Sequence, residues 1–208
     1  MNYRKILLST AILAFSFHHA QNVKLNPTSP EERWKGYEQR KKLEENSIFK
    51  NLNFRNVGPT TMSGRVTDID ANPENPTEFY VAYASGGLWY TNNNGTTFTP
   101  IFDREAVMTI GDIYVDWKTK TIFIGTGESN SSRSSYAGMG VYKSTDQGKT
   151  WQNLGLKDTH HIGRIVVNPE NNNEIWVAAV GHLYSPNSER GVFKTNGLSF
   201  VPILNFIV

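Results

Sequence analysis

The sequence predicts an all-β chain: a partial β-propeller of three four-stranded antiparallel blades, an open arc with its last blade cut short, preceded by a short N-terminal helix. Three observations lead there. The octet Ser144-Thr145-Asp146-Gln147-Gly148-Lys149-Thr150-Trp151 has the chemistry of a tight hairpin. An Asp side chain accepts backbone N–H bonds two residues on, a Gly supplies the left-handed position, and an aromatic re-enters the sheet. The turn recurs in weaker form at Thr91-Asn92-Asn93-Asn94-Gly95-Thr96-Thr97-Phe98, and shortened at Thr195-Asn196-Gly197-Leu198-Ser199-Phe200. A larger unit repeats around it: Asn72-Pro73-Glu74-Asn75 returns as Asn168-Pro169-Glu170-Asn171, with 168 − 72 = 96 residues between. That is about twice a propeller-blade length of roughly 40–50 residues.

The elements follow in order. Arg4-Lys5, the apolar run from Ile6 to Phe17 and the small Ala20 make residues 1–20 a secretory signal peptide. The run is short for a membrane span of about 20 residues, so no transmembrane segment is expected after its removal. Residues 21–57 hold a charge-dense segment, Pro30 to Glu45, expected as a surface helix because Pro and Glu open it, and a lead-in strand over 52–57. Residues 58–208 form the blades, about 64–104, 107–157 and 160–208. Gly64-Arg65-Val66, Gly111-Asp112-Ile113 and Gly163-Arg164-Ile165 open them, at spacings of 47 (111 − 64) and 52 (163 − 111). The expected strands are 65–70, 78–84, 87–92 and 97–103, then 109–116, 121–126, 140–145 and 151–154, then 163–167, 174–180, 191–195 and 200–204. Thr121-Ile122-Phe123-Ile124 and Ile175-Trp176-Val177 are β-branched or aromatic throughout, as a middle strand must be when its blade packs between two neighbours. A β-sandwich could use the same strands, but sandwiches do not repeat one turn chemistry at every second hairpin.

Composition narrows the function. Without Arg4 and Lys5 the 21 basic residues fall to 19, matching the 19 acidic ones. That balance lacks the positive field a nucleic-acid partner needs. There is no cysteine, so no disulfide or thiolate–metal site is available. No cofactor is expected: Gly125-Thr126-Gly127 lacks the third glycine and the following helix of a nucleotide loop. Asn94-Gly95-Thr96 and Asn130-Ser131-Ser132 match glycosylation sequons, which carry meaning only with a known host.

The turn octet resembles the Asp-box hairpin of bacterial-neuraminidase-repeat and sortilin-type β-propellers. The strings Gly125-Thr126-Gly127-Glu128, Ile162-Gly163-Arg164-Ile165 and Gly181-His182-Leu183-Tyr184 look like the N-terminal blades of bacterial proteins of that kind, often labelled glycosyl hydrolases. The resemblance runs from about Phe54 to Lys194 and implies a secreted, many-bladed propeller, of which this chain would be an N-terminal fragment or a shortened reading frame. It implies no single activity. Where xyloglucanase-type relatives place a catalytic Asp before a Gly-Gly, this chain has Ala84 before Ser85-Gly86-Gly87. The sialidase-type Arg segment is matched only by Phe54-Arg55-Asn56-Val57, without its Pro. No catalytic residue is therefore assigned.

In a propeller the strand 3–4 hairpins lie on one face, and the 2–3 and 4–1 connections on the other, where ligands usually bind. Ser144, Asp146, Gly148, Thr150 and Trp151 are accordingly expected to be structural. The opposite rim gathers Glu128, Arg133 and Tyr136 from one long loop, His160 and His161 from a 4–1 connection, and His182, Tyr184 and Arg190 from the next long loop. Arg65 and Arg164 should stand at the axial end of the inner strands. Tyr and Arg suit binding of a peptide, protein or carbohydrate, and Glu128 or Glu189 with His could move protons. Adjacent His160 and His161 on extended chain point apart, so no metal site is expected. The functional expectation is an exported binding or scaffold propeller, with the N-terminal part of a secreted glycoside hydrolase as the alternative.

Overall fold

A computed structural model describes residues 26–52, 64–131, 135–195, 197 and 199–205. The signal segment, the lead-in strand, Arg133 and two residues of the third turn, Asn196 and Leu198, lie outside these residues. Among the described residues one helix, α1 (Pro30–Glu45), precedes three sheets. Blade 1 is β1 (Val66–Ala71), β2 (Phe79–Tyr83), β3 (Gly87–Thr91) and β4 (Thr99–Pro100). Blade 2 is β5 (Ile110–Asp116), β6 (Thr121–Thr126), β7 (Val141–Ser144) and β8 (Gln152–Gly155). Blade 3 is β9 (Ile162–Asn168), β10 (Asn171–Ala179), β11 (Gly191–Thr195) and β12 (Phe200–Asn205). Each sheet is antiparallel with its strands in chain order, the arrangement of a propeller blade.

The core lies between blades. Tyr80, Ala82, Leu88 and Phe102 of blade 1 pack on Ile110, Ile113, Val115, Ile122 and Ile124 of blade 2. Phe123, Val141 and Leu156 of blade 2 pack on Ile162, Ile165, Val177 and Phe193 of blade 3. Strand β6 explains its own composition: Ile122 and Ile124 face one neighbour, Phe123 the other, and all six residues are buried. The outermost blades lack that second neighbour among the described residues, and Val66, Ile69, Val166, Val201 and Ile203 are exposed there.

Pairing registers shift the expected alignment of the first two units. Asp68 pairs with Ala82, Asp112 with Gly125 and Arg164 with Ala178, so these three are structural equivalents. Thr67, not Gly64, therefore stands level with Gly111 and Gly163. The sequence match at Gly64-Arg65-Val66 is a coincidence three residues out of register. Beyond it the repeat holds to the atom. Asn72, Asp116 and Asn168 each accept the N–H two residues on, from Glu74, Lys118 and Glu170 at 3.0, 3.0 and 2.9 Å. Asn72 and Asn168 also donate to Glu78 and Glu174, both at 2.7 Å.

The octet turn is built as a side-chain lattice. Asp146 Oδ1 accepts the Thr150 N–H at 2.9 Å and the Ser144 hydroxyl at 2.8 Å, while Ser144 Oγ accepts the Gly148 N–H at 2.8 Å. The Asp thus reaches four residues on, not two, because Gln147 and Gly148 both take positive φ and curl the chain back. Thr91, Asn93, Gly95 and Thr97 reproduce this lattice in blade 1, with Asn93 Oδ1 accepting the Thr97 N–H at 3.0 Å. The Asn94 N–H reaches the Thr77 carbonyl at 2.9 Å, which puts the 3–4 and 1–2 turns on one end of the blade. Trp151 closes the octet against Phe102 at 5.0 Å and donates to the Ile101 carbonyl at 3.0 Å.

Ser29 caps α1 through the Glu32 N–H at 3.2 Å, and Pro30 opens the helix where its missing donor costs nothing. The helix is not a free surface element. Arg33, Tyr37 and Arg40, on one face, hold the blades: Arg33 donates to the carbonyls of Ala137 and Gly138, Tyr37 to Glu105, and Arg40 to the carbonyls of Arg104 and Glu105. Lys157 sits 3.7 Å over the Trp34 ring. These anchors belong to 2–3 and 4–1 connections, so α1 lies across the rim end.

Thr150 chiefly, with help from Ser144, holds the Asp146 carboxyl down to about 2. Its folded value is below the usual ~3.9, so its stabilisation is complete above about pH 4 and is lost as pH falls through 2. Asp146→Ala is expected to lower the unfolding free energy by about 1–2 kcal/mol at pH 6. The gap to the parent protein should close between pH 4 and pH 2 in urea titrations.

Candidate functional site on the rim and the axial edge

Three segments meet on the rim. The loop after β10 clamps the connection before β9: Glu189 Oε2 accepts the N–H groups of Asp158 and Thr159 at 2.8 and 2.7 Å, and Asn187 Nδ2 donates to the Asp158 carbonyl at 3.2 Å. Arg190 donates to the His182 carbonyl. The loop after β6 joins from the other side, where the Gly138 N–H meets the His160 carbonyl at 2.6 Å and the Gly127 carbonyl accepts the Ile162 N–H at 3.2 Å. Gly127 has φ +82°, and a Cβ there would sit 1.8 Å from the His160 oxygen, so only glycine fits.

The histidines occupy the centre. His160 and His182 stack with ring centroids 3.6 Å apart and planes 21° from parallel. His182 Nε2 donates to the Asp158 carbonyl at 2.9 Å, which leaves Nδ1 to accept from the Ser185 hydroxyl at 2.7 Å. Burial, then the neighbouring His182 and Arg33, push the His160 imidazole down to about 3, so it is neutral at physiological pH. Burial likewise lowers His161 and raises Glu189. Ligand atoms of Asp158, His160 and His182 come within 4.8 Å of one another. The ring geometry nonetheless opposes chelation. A metal must lie in the plane of each imidazole that binds it, and two stacked planes 3.6 Å apart share no such point nearby.

A second group lines the axial edge. The Asp112 carboxylate accepts the Ile165 N–H at 2.6 Å and the Arg164 guanidinium at 3.1 Å. Asp68 accepts the Ile113 N–H at 3.2 Å, one blade earlier. Arg65 forks onto both oxygens of Glu128, which is only 1% exposed. Burial first, and then the adjacent Asp68, raise the Asp112 carboxyl to about 7. Arg164 opposes this weakly because its side chain is 67% exposed and screened by water.

No family model matches the chain, and no curated protein matches it. Among solved structures it resembles a GH74 enzyme from Niastella koreensis at 22% identity and TM-score 0.50, over 67% of this chain and 22% of that one. An ancestral GH74 enzyme (19% identity, TM-score 0.48, 67% of this chain, 18% of that one) and YCF48 from Cyanidioschyzon merolae (15%, 0.46, 72% and 40%) are also similar. The chain is part of a β-propeller. It spans about a fifth of the length of the two GH74 enzymes, and the likeness concerns the fold alone.

Of the residues expected on the rim, the structure brings His160, His161, His182 and Tyr184 together, with Arg190 behind them. Tyr136 is on the same loop as Ala137 and is exposed. Glu128 is drawn away to the axial edge by Arg65, and Glu189 and Arg190 bond to backbone rather than to each other. Both carboxylates thus have close partners. Asp68, Asp70, Asp112, Asp158 and Arg33 were passed over. The Asp68, Asp112 and Arg164 series was readable at equivalent positions, and the misplaced Gly64 match hid it.

Asp112 has a folded value above its unfolded one, so its contribution is complete below about pH 4 and is lost as pH rises through 7. Asp112→Asn keeps an acceptor for Ile165 and cannot ionise. Its unfolding free energy is expected to fall less than the parent's between pH 5 and pH 8. Parallel curves for the two proteins would show that Asp112 is ionised throughout.

Proposed function

We propose that the chain is part of an exported propeller that binds a peptide, protein or glycan through the rim formed by its 2–3 and 4–1 connections. The observation that carries this is the commitment of the rim carboxylates. Glu128 is neutralised by Arg65, and Glu189 is consumed by two backbone N–H groups. What stays accessible is binding chemistry: Tyr136 and Tyr184 are exposed, and Tyr184 shares a pocket with the buried, neutral His160. Export rests on the basic and apolar opening of the sequence. No helix among the described residues is long and apolar enough to cross a membrane.

One observation favours the hydrolase alternative. Burial and the adjacent Asp68 raise the Asp112 carboxyl to about 7, so it can gain and lose a proton near neutral pH beside a second carboxyl group. Asp68 is close enough to act on the Asp112 carboxyl directly, whereas glycoside hydrolysis needs carboxyl groups about 5–10 Å apart with the scissile bond between them. Hydrolysis would therefore require a further carboxylate from another blade.

The purified protein is to be screened on immobilised glycans and peptides, and assayed for turnover of aryl glycosides and xyloglucan oligosaccharides. Binding that weakens in Tyr136→Ala or Tyr184→Ala, and is unchanged in Asp146→Ala at the opposite end, is the expected result. Turnover abolished by Asp112→Asn or Glu189→Gln would replace the binding reading with the hydrolase one.

A further inference from the structure

The last turn of α1 and the turns that follow it hold large apolar side chains out in water. Leu43, Ile48, Phe49 and Leu52 are between 54% and 88% exposed. Local hydrogen bonds fix the backbone that carries them. The Asn46 N–H and its Nδ2 both reach the Lys42 carbonyl, at 3.1 and 2.8 Å. The Lys50 and Leu52 N–H groups close tight turns on the Ser47 and Phe49 carbonyls, at 3.2 and 2.9 Å. A fixed group of large apolar side chains in water marks a contact surface, unlike apolar residues scattered singly.

Leu43, Phe49 and Leu52 line a groove of about 460 Å³ whose charged border is mostly cationic, with Arg40, Lys50 and Arg104 against Glu44. Glu44 is 3.9 Å from Arg40, which also donates to the Glu105 carbonyl at 3.1 Å. No carboxylate among the described residues forms an ion pair with Lys50 or Arg104. The groove therefore presents apolar walls beside two uncompensated cations. Its backbone decides the form of what can dock. Helix and turns offer no free strand edge, so an added strand would find no ladder, and an incoming segment must satisfy its own N–H and C=O groups. An α-helix does so. Its apolar stripe would meet the apolar walls, and carboxylates beside that stripe would meet Lys50 and Arg104.

We propose that this groove docks an acidic amphipathic helix of another protein, its apolar stripe on Leu43, Phe49 and Leu52 and its carboxylates facing Lys50 and Arg104. The groove shares no residue with the histidine pocket, and it stands whatever binds there. A second copy of the chain is a poorer occupant. The helix α1, the one helix among the described residues, carries no apolar stripe, and the exposed apolar strand β12 carries no carboxylate. An anionic membrane surface is poorer too, because Glu44 and Glu45 stand at the same end of α1 and would be repelled by it.

The test is selection on the purified protein from a displayed library of helical peptides of about 15 residues. Each has leucine at i, i+3, i+4 and i+7, with Glu, Lys or Gln randomised beside that stripe. Selected peptides are expected to be rich in Glu and poor in Lys, and to bind Phe49→Ser about tenfold more weakly or worse. Lys50→Glu should weaken them comparably, and exchanging their Glu for Lys should restore binding to that variant. Both positions are exposed, so folding is not at stake. A library that yields no binder, or binders without acidic preference, would overturn the proposal. So would binders lost in Tyr184→Ala and kept in Phe49→Ser, which would assign them to the histidine pocket. Phe49-dependent binding to phosphatidylglycerol vesicles, or Phe49-dependent dimerisation in light scattering, with no peptide bound, would give the groove to a membrane or a second copy instead.

Discussion

The structure depends on how one blade satisfies the bare edge of the next. The first strand of each blade is a sheet edge, with alternate N–H groups pointing away from its own sheet. Asp68 and Asp70 of β1 accept the N–H groups of Ile113 and Val115 on β5, and Asp112 of β5 accepts that of Ile165 on β9. In blade 1, where no preceding blade is described, Asp68 Oδ1 takes the N–H of its own neighbour Ile69. These bonds set the angular register that lets Ile113 and Ile165 reach the inter-blade cores. The apolar contacts then supply most of the attraction, since burial is worth about 25 cal/mol for each Å² of apolar surface removed from water. The carboxylates decide which register that attraction serves.

The same device shapes the candidate site. The carboxylates that a hydrolytic reaction would use are drawn into joining blades: Glu128 ties blade 2 to Arg65 of blade 1, and Glu189 ties its loop to the backbone before β9. At the end of the series Arg164 replaces an Asp and turns back onto Asp112. What is left for a ligand is an aromatic and imidazole surface under the start of α1. Because Arg33, Tyr37 and Arg40 hold that helix on the rim, Pro27 is placed beside His160 and Tyr184. The segment before the blades is therefore part of the rim's wall.

Much of the fold was legible because propellers repeat their physics locally. The Ser144-to-Trp151 turn carries its own hydrogen-bond partners, so its chemistry is visible without any tertiary contact, and Thr91 to Phe98 repeats it with Asn93 for Asp. The run of β6 announced a strand buried on both faces. Helix α1 was bounded by Ser29, Pro30 and its acidic first turn. The site was legible only as a list of residues sharing one end of the blades. Which of them are free and which are spent depends on partners about 30 to 100 residues away, such as Arg65 for Glu128 and Arg33 for the Ala137 and Gly138 carbonyls. No local pattern encodes those distances.

By itself the sequence determined the architecture: three blades, the position of each turn, the apolar middle strands and the end of the molecule on which the loops gather. Those follow from short-range rules of turn chemistry and side-chain alternation, which need only neighbours along the chain. Tertiary structure decided the rest. It placed Asp68, Asp112 and Arg164 at one equivalent position, because register depends on cross-strand pairing rather than on a matching glycine. It stacked His160 on His182, and it buried the His161 Nδ1 without a hydrogen-bond partner. These outcomes belong to the meeting of blades, where charge, burial and orphaned polar atoms are set by segments far apart in the chain.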